Sequence, residues 1–140
     1  MRILLPVDGS SSSLAAVQFA IRKLAKATDG IELHLLNVQP PLPYAATSLV
    51  DSAAVKDFHV EEANKSLTAA KEQLDKAGIR YETHVAIGDA AEAIASYAEQ
   101  KDCAEIVMGT RGLGRVAGMI LGSVAYKVLQ LSKVPVTLVK

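Results

Sequence analysis

The chain has 140 residues, half of them hydrophobic, and its 15 basic residues balance 15 acidic ones to a formal net charge of zero. This length predicts one domain over residues 1–140 with ample material for a core, and the charge balance removes any global attraction to nucleic acid or to an anionic membrane. Trp is absent and aromatics make up 4% of the chain, so the core is expected to be Val, Leu, Ile and Ala.

Only a short apolar run separates Arg2 from Asp8. It predicts neither a secretory signal nor a membrane span. The single Cys103 cannot close an internal disulfide and reads as a small packing residue in a cytoplasmic protein. Arg2 to Val7 reads as a buried strand that stops at Asp8-Gly9. Ser10 to Ser13 offer helix caps, and Leu14, Val17, Ile21 and Leu24 recur at helical spacing to about Ala27. Asp29-Gly30 is a turn before a second strand, Ile31 to Val38.

Gln39 to Pro43 is proline-rich and cannot continue a sheet, so the segment to Ala54 reads as a loop. Val55 to Ala77 carries Val60, Ala63, Leu67, Ala70 and Leu74 on one stripe, a long amphipathic helix ended by Gly78. Ile79 to Ile87 is a third strand. Ala90 to Lys101 is an Ala-rich helix with Ile94, Tyr97 and Ala98 inward. Glu105 to Met108 is a fourth strand, Ser123 to Leu131 a last helix, and Val134 to Val139 a fifth strand.

Strands alternating with helices imply a parallel sheet with helices on both faces and right-handed crossovers. A doubly wound α/β fold of strand order 3-2-1-4-5 fits five such units. Its winding reverses between strands one and four, and ligands of open α/β sheets sit at the carboxyl ends of strands at such a reversal. Asp8 and Gly109 occupy those two ends.

Gly109 and Gly112 are separated by two residues, and nine more lead to Gly122 and Ser123, within GTRGLGRVAGMILGSV. A glycine-rich turn between a strand and a helix suits a polyanion, because backbone N–H groups can approach phosphate oxygens closely. The spacing G-x2-G-x9-G-[S/T], with RILLPVDGS at Arg2 to Ser10 and VPVTLVK at Val134 to Lys140, resembles the ATP-binding branch of the universal stress protein family over nearly the whole chain.

The resemblance implies a Rossmann-like or flavodoxin-like fold that binds ATP. The backbone from Gly109 through Thr110, Arg111, Gly112, Leu113 and Gly114 to Arg115 would hold the phosphates, together with the turn Ser123, Val124 and Ala125 after Gly122. Gly109 and Gly112 would be glycine to let the phosphates in, and Ser123 would cap the last helix. Pro6 and Val38 would frame the adenine, with Val7 and Met108 in the same binding set. Asp8 would face the ribose or a divalent metal, Mg2+ or Mn2+, on the phosphates; as a bare strand end it reads equally as a turn or cap residue.

Val134 to Val139 is apolar on both faces at a sheet edge, and a bare apolar edge needs cover. The same strand of a second chain provides it across a two-fold axis, and the resemblance implies the same homodimer. The expected function is therefore a homodimeric, nucleotide-dependent regulator of the stress response. ATP would order the Gly109–Gly122 loop, and an unidentified protein partner would read the change. A slow metal-dependent ATPase or phosphotransferase, with Arg111 or Arg115 on the terminal phosphate, is the alternative. Gly112, Gly114 and Ala117 also match a dinucleotide pattern, but no acidic residue follows Glu105 to meet a ribose. Neither a G-x-x-x-x-G-K-[S/T] loop nor a G-x-S-x-G elbow is present. His34, His59 and His84 read as isolated surface or packing residues, because none forms an i, i+4 ligand pair.

Overall fold

The computed structural model describes residues 1–28, 30–112 and 121–140. Its five strands are β1 (Arg2–Pro6), β2 (Glu32–Gln39), β3 (Tyr81–Ile87), β4 (Glu105–Gly109) and β5 (Val136–Val139). They pair in parallel in the order β3-β2-β1-β4-β5, as the alternation of elements predicts. The helices among the described residues are α1 (Ser11–Leu24), α2 (Tyr44–Thr47), α3 (Ser52–Lys76), α4 (Ala90–Gln100) and α5 (Ser123–Leu131).

Near-continuous apolar runs let the central strands bury both faces. Ile3, Leu5, Val7, Leu33, Leu35 and Val107 point to one side and pack with Ala16 and Val17 of α1 and Leu67 and Leu74 of α3. Leu4, Leu36, Ile106 and Met108 point to the other and pack with Ile94 of α4 and Val128 of α5. Alternation along each strand thus divides one sheet between two aliphatic cores.

Local side chains fix where the helices begin. Ser10 caps α1, its hydroxyl accepting the Ser13 N–H at 3.1 Å. Asp51 caps α3 by accepting the Ala54 N–H at 2.8 Å. Asp89 caps α4 by accepting the Glu92 N–H at 3.0 Å. The Asp51 cap starts α3 at Ser52, ahead of the expected Val55, and the one-turn α2 interrupts what reads as a plain loop.

The inward stripe of α3 also differs from expectation. Val60 is exposed, and its neighbour His59 is buried with Ala63, Leu67, Ala70 and Leu74. One residue turns the helix by about 100°, so a stripe phased on Leu67 and Ala63 reaches His59 and misses Val60. His34 and His84 are not isolated. Strand pairing places Leu36 opposite His84 and His34 opposite Glu82, which stacks the two rings on one face with His34 Nδ1 and His84 Nε2 3.0 Å apart. The turn residue Asp29 lies outside the described residues.

Candidate functional site

β1 and β4 are neighbours, yet their following connections leave toward opposite faces of the sheet. A crevice opens at their carboxyl ends, lined by Pro6, Val7, Asp8, Val38, Met108, Gly109, Arg111, Gly112, Val124 and Ala125. These sequence-predicted residues therefore converge on one place. Ser13, Leu36, Ala90 and Ile94 line it as well and were not expected there. Ile94 carried a signal, since it faces inward from the helix after the third strand. Leu36 lay hidden in an apolar run where each residue looks like core.

One wall is apolar: Val7, Leu36, Val38, Ile94, Met108 and Val124. It can take a flat heteroaromatic ring. The other wall is polar backbone. Gly122 is the N-cap of α5 in extended geometry (φ −71°, ψ 160°), and among the described residues no side chain caps the helix start. Ser123 is therefore the first helical residue and not the cap. A Cβ on Gly122 would stand 3.2 Å from both Arg111 Cα and the Thr110 carbonyl oxygen, so a capping side chain has little room. The helix ladder begins with the Tyr126 N–H donating to the Gly122 carbonyl at 3.0 Å. The N–H groups of Ser123, Val124 and Ala125 precede that ladder and carry the positive end of the helix dipole. Helices α1, α3 and α4 close the same position with their own side chains; α5 leaves it to whatever enters the crevice.

Asp8 lines the crevice and also stabilises the exit of its strand. Its Oδ1 accepts the Ser10 N–H at 2.9 Å, an Asx turn stabilising the exit of β1. Its Oδ2 faces Gly112, 3.0 Å from where a Cβ would stand. One oxygen is held by the turn, and the other stands beside Gly112. Thr110 does not line the crevice. Its N–H donates to the Val139 carbonyl at 3.2 Å and its carbonyl accepts the Gly122 N–H at 2.6 Å, so it closes the loop onto β5. Leu113, Gly114 and Arg115 lie outside the described residues, as does the rest of 113–120 with the dinucleotide-like Ala117.

Gly109 also has a packing reason to be glycine, beside the one the motif suggests. A Cβ there would sit 2.6 Å from the Ser12 backbone carbon and carbonyl oxygen, inside α1. The missing side chain lets α1 cross the end of β4, where the Ser12 hydroxyl accepts the Arg111 N–H at 3.2 Å. Asn37 supports the floor from the second strand. It is buried, and its amide donates to the Val7 carbonyl at 2.8 Å while its oxygen accepts from Gln39.

The model of the universal stress protein family matches residues 1–140. The chain belongs to the universal stress protein family. It is 34% identical to the universal stress protein YxiE of Bacillus subtilis over 99% of this chain and 98% of that one. It is 32% identical to the universal stress protein MJ0531 of Methanocaldococcus jannaschii, over 99% of this chain and 81% of the relative. Among solved structures, MJ0577 superposes with a TM-score of 0.84 at 27% identity, covering 99% of this chain and 94% of that one. A universal stress protein solved in complex with cAMP superposes with a TM-score of 0.74 at 26% identity, covering 100% of this chain and 97% of its own. The fold of these family members is the doubly wound sheet found here, and the crevice lies at its reversal. Among the described residues no helix is long and apolar enough to cross a membrane.

Proposed function

We propose that this universal stress protein binds an adenine nucleotide, ATP with Mg2+ or Mn2+, in the β1–β4 crevice and acts as a nucleotide-dependent regulator. The observation that carries this reading is the pairing of an apolar wall with a helix N-terminus that no side chain caps among the described residues. The apolar wall suits the base, and Pro6 and Val38 frame it. The N–H groups of Ser123 to Ala125, with Gly109, Gly112 and Arg111, suit the phosphates. Asp8 Oδ2 suits the ribose hydroxyls or the metal. Leu113, Gly114 and Arg115 complete the proposed phosphate loop. The cAMP complex of a relative of the same fold supports an adenylate as the ligand class.

The proposed protein is a single nucleotide-binding domain working in the cytoplasm as a homodimer through Val134 to Val139. A protein partner would read the difference between nucleotide states at the surface around Gly109 and Gly122. The test is calorimetry with ATP and magnesium on the native chain and on Val124→Asp. Val124 is 36% exposed at the second position of α5. An acidic residue there favours the helix through its dipole but repels a phosphate. The variant should keep its melting temperature and lose about 10- to 100-fold in affinity, one or two powers of ten at about 1.4 kcal/mol each. Equal binding by both proteins would remove α5 from the site.

A second reading, slow ATP hydrolysis or phosphoryl transfer, rests on Asp8 and Arg111 lining the same crevice. Release of ADP that disappears in Asp8→Asn supports it; ADP release equal to buffer alone rejects it.

A further inference from the structure

The second Glu-x-His pair of this chain carries a chemistry that the crevice does not use. β2 begins Glu32-Leu33-His34 and β3 contains Glu82-Thr83-His84. Residues two apart on a strand share a face, and the register sets His34 directly opposite Glu82. Three ligand atoms meet as a result. His34 Nδ1 and His84 Nε2 are 3.0 Å apart, and Glu82 Oε2 lies 3.8 Å from the first and 3.7 Å from the second. In a tetrahedral zinc site with bonds of about 2.0–2.1 Å, ligand atoms stand about 3.3–3.4 Å from one another. The triangle therefore needs shifts of a few tenths of an ångström, and Glu82, whose side chain is 71% exposed, is free to make them.

We propose that His34, His84 and Glu82 form a site for a divalent transition-metal ion, zinc above all, on the β2–β3 edge of the sheet. The site is separate from the nucleotide crevice: His34 precedes Val38 by four residues of strand, about 13 Å at 3.3 Å per residue.

A second observation points the same way. His34 is 5% exposed, and its Nε2 is buried with no hydrogen-bond partner. Glu32 Oε2 lies 3.6 Å from that nitrogen and is itself held by Arg2 Nε at 2.8 Å. An ion on Nδ1 obliges His34 to carry its proton on Nε2, which then faces the Glu32 carboxylate. That is the carboxylate–histidine–metal relay by which proteins orient an imidazole ligand. Two imidazoles and one carboxylate favour zinc over magnesium or calcium. The three protein ligands leave a fourth position for water or for an exogenous group.

The test is zinc titration of the full chain, free of nucleotide, in competition with a chromophoric chelator. Glu82→Gln, His84→Gln and Glu32→Gln serve as the variants, with folding checked by circular dichroism. The native chain should take one zinc per chain with micromolar or tighter affinity. Removing the His84 imidazole should cost about 100-fold or more. Removing the Glu82 charge or, in Glu32→Gln, the supporting carboxylate should cost about tenfold. Cobalt in place of zinc should give the visible absorption of a four-coordinate ion, lost in His84→Gln. Absence of binding by the native chain would overturn the site, and so would native affinity in a folded His84→Gln. Should that variant fail to fold, native affinity in the mostly exposed Glu82→Gln would overturn it.

Discussion

At single residues, Gly109 and Gly112 separate the two meanings that a glycine motif can carry. Gly109 gives way to the backbone of Ser12, and a methyl group there must push α1 off β4. Gly109→Ala should therefore cost stability directly, about 1–3 kcal/mol as other overpacking changes do. Gly112 faces Asp8 Oδ2, the far end of a side chain rather than backbone, and a small shift of that end relieves the contact. Gly112→Ala should leave the unfolding midpoint nearly unchanged and weaken ATP instead. Urea unfolding and calorimetry on both variants check this. Equal stability loss in the two would show that the crevice cannot yield at Asp8. The spacing of the glycines was legible in the sequence; the reason for Gly109 was not, because Ser12 reaches it only through the helix crossing. The same limit hid the two histidines. A search at i, i+4 assumes a helix, whereas His34 and His84 lie 50 residues apart and meet through strand register.

Among the elements, the helix starts show how local chemistry sorts structure from site. Ser10, Asp51 and Asp89 each accept from the backbone N–H three residues on and close their helices. Caps of this kind are readable from sequence, and so is the α5 span, Ser123–Leu131, which matches its periodicity. The phase of α3 was less readable, because a histidine breaks its apolar stripe. Asp89 also meets Lys127 of α5 at 3.3 Å, linking the two helices beside the crevice. The Glu92 N–H and then the Lys127 ammonium hold the Asp89 carboxyl below its ordinary value. A carboxyl with a depressed folded pKa stabilises above its unfolded value, about 3.9, and loses that contribution as pH falls through the folded one. The native chain should thus lose stability below about pH 4 more steeply than Asp89→Asn, which keeps the cap oxygen but not the charge. Urea midpoints at neutral and acid pH measure the difference, and parallel pH profiles would remove Asp89 from the acid response.

For the whole molecule, the strand order followed from the alternation of elements. That order leaves β3 and β5 as its edges. β5 is an edge strand, and each of its residues is only partly buried. Residues of a parallel strand bond alternately to one neighbour and the other. Pro135 and Val139 give their carbonyls to the N–H groups of Ile106 and Thr110, at 2.9 and 3.2 Å. Val136 and Leu138 therefore turn their N–H and carbonyl groups to the free edge. Strand pairing across a two-fold axis would satisfy these polar backbone groups. Val136→Pro removes one outward N–H and leaves the ladder to β4 intact, the one strand position type that proline tolerates. Light scattering at micromolar concentration should find the native chain a dimer and Val136→Pro a monomer. The variant's melting temperature should also cease to rise with protein concentration. A dimer that survives Val136→Pro would place the interface elsewhere, and a native monomer would mean that the β5 edge is tolerated bare.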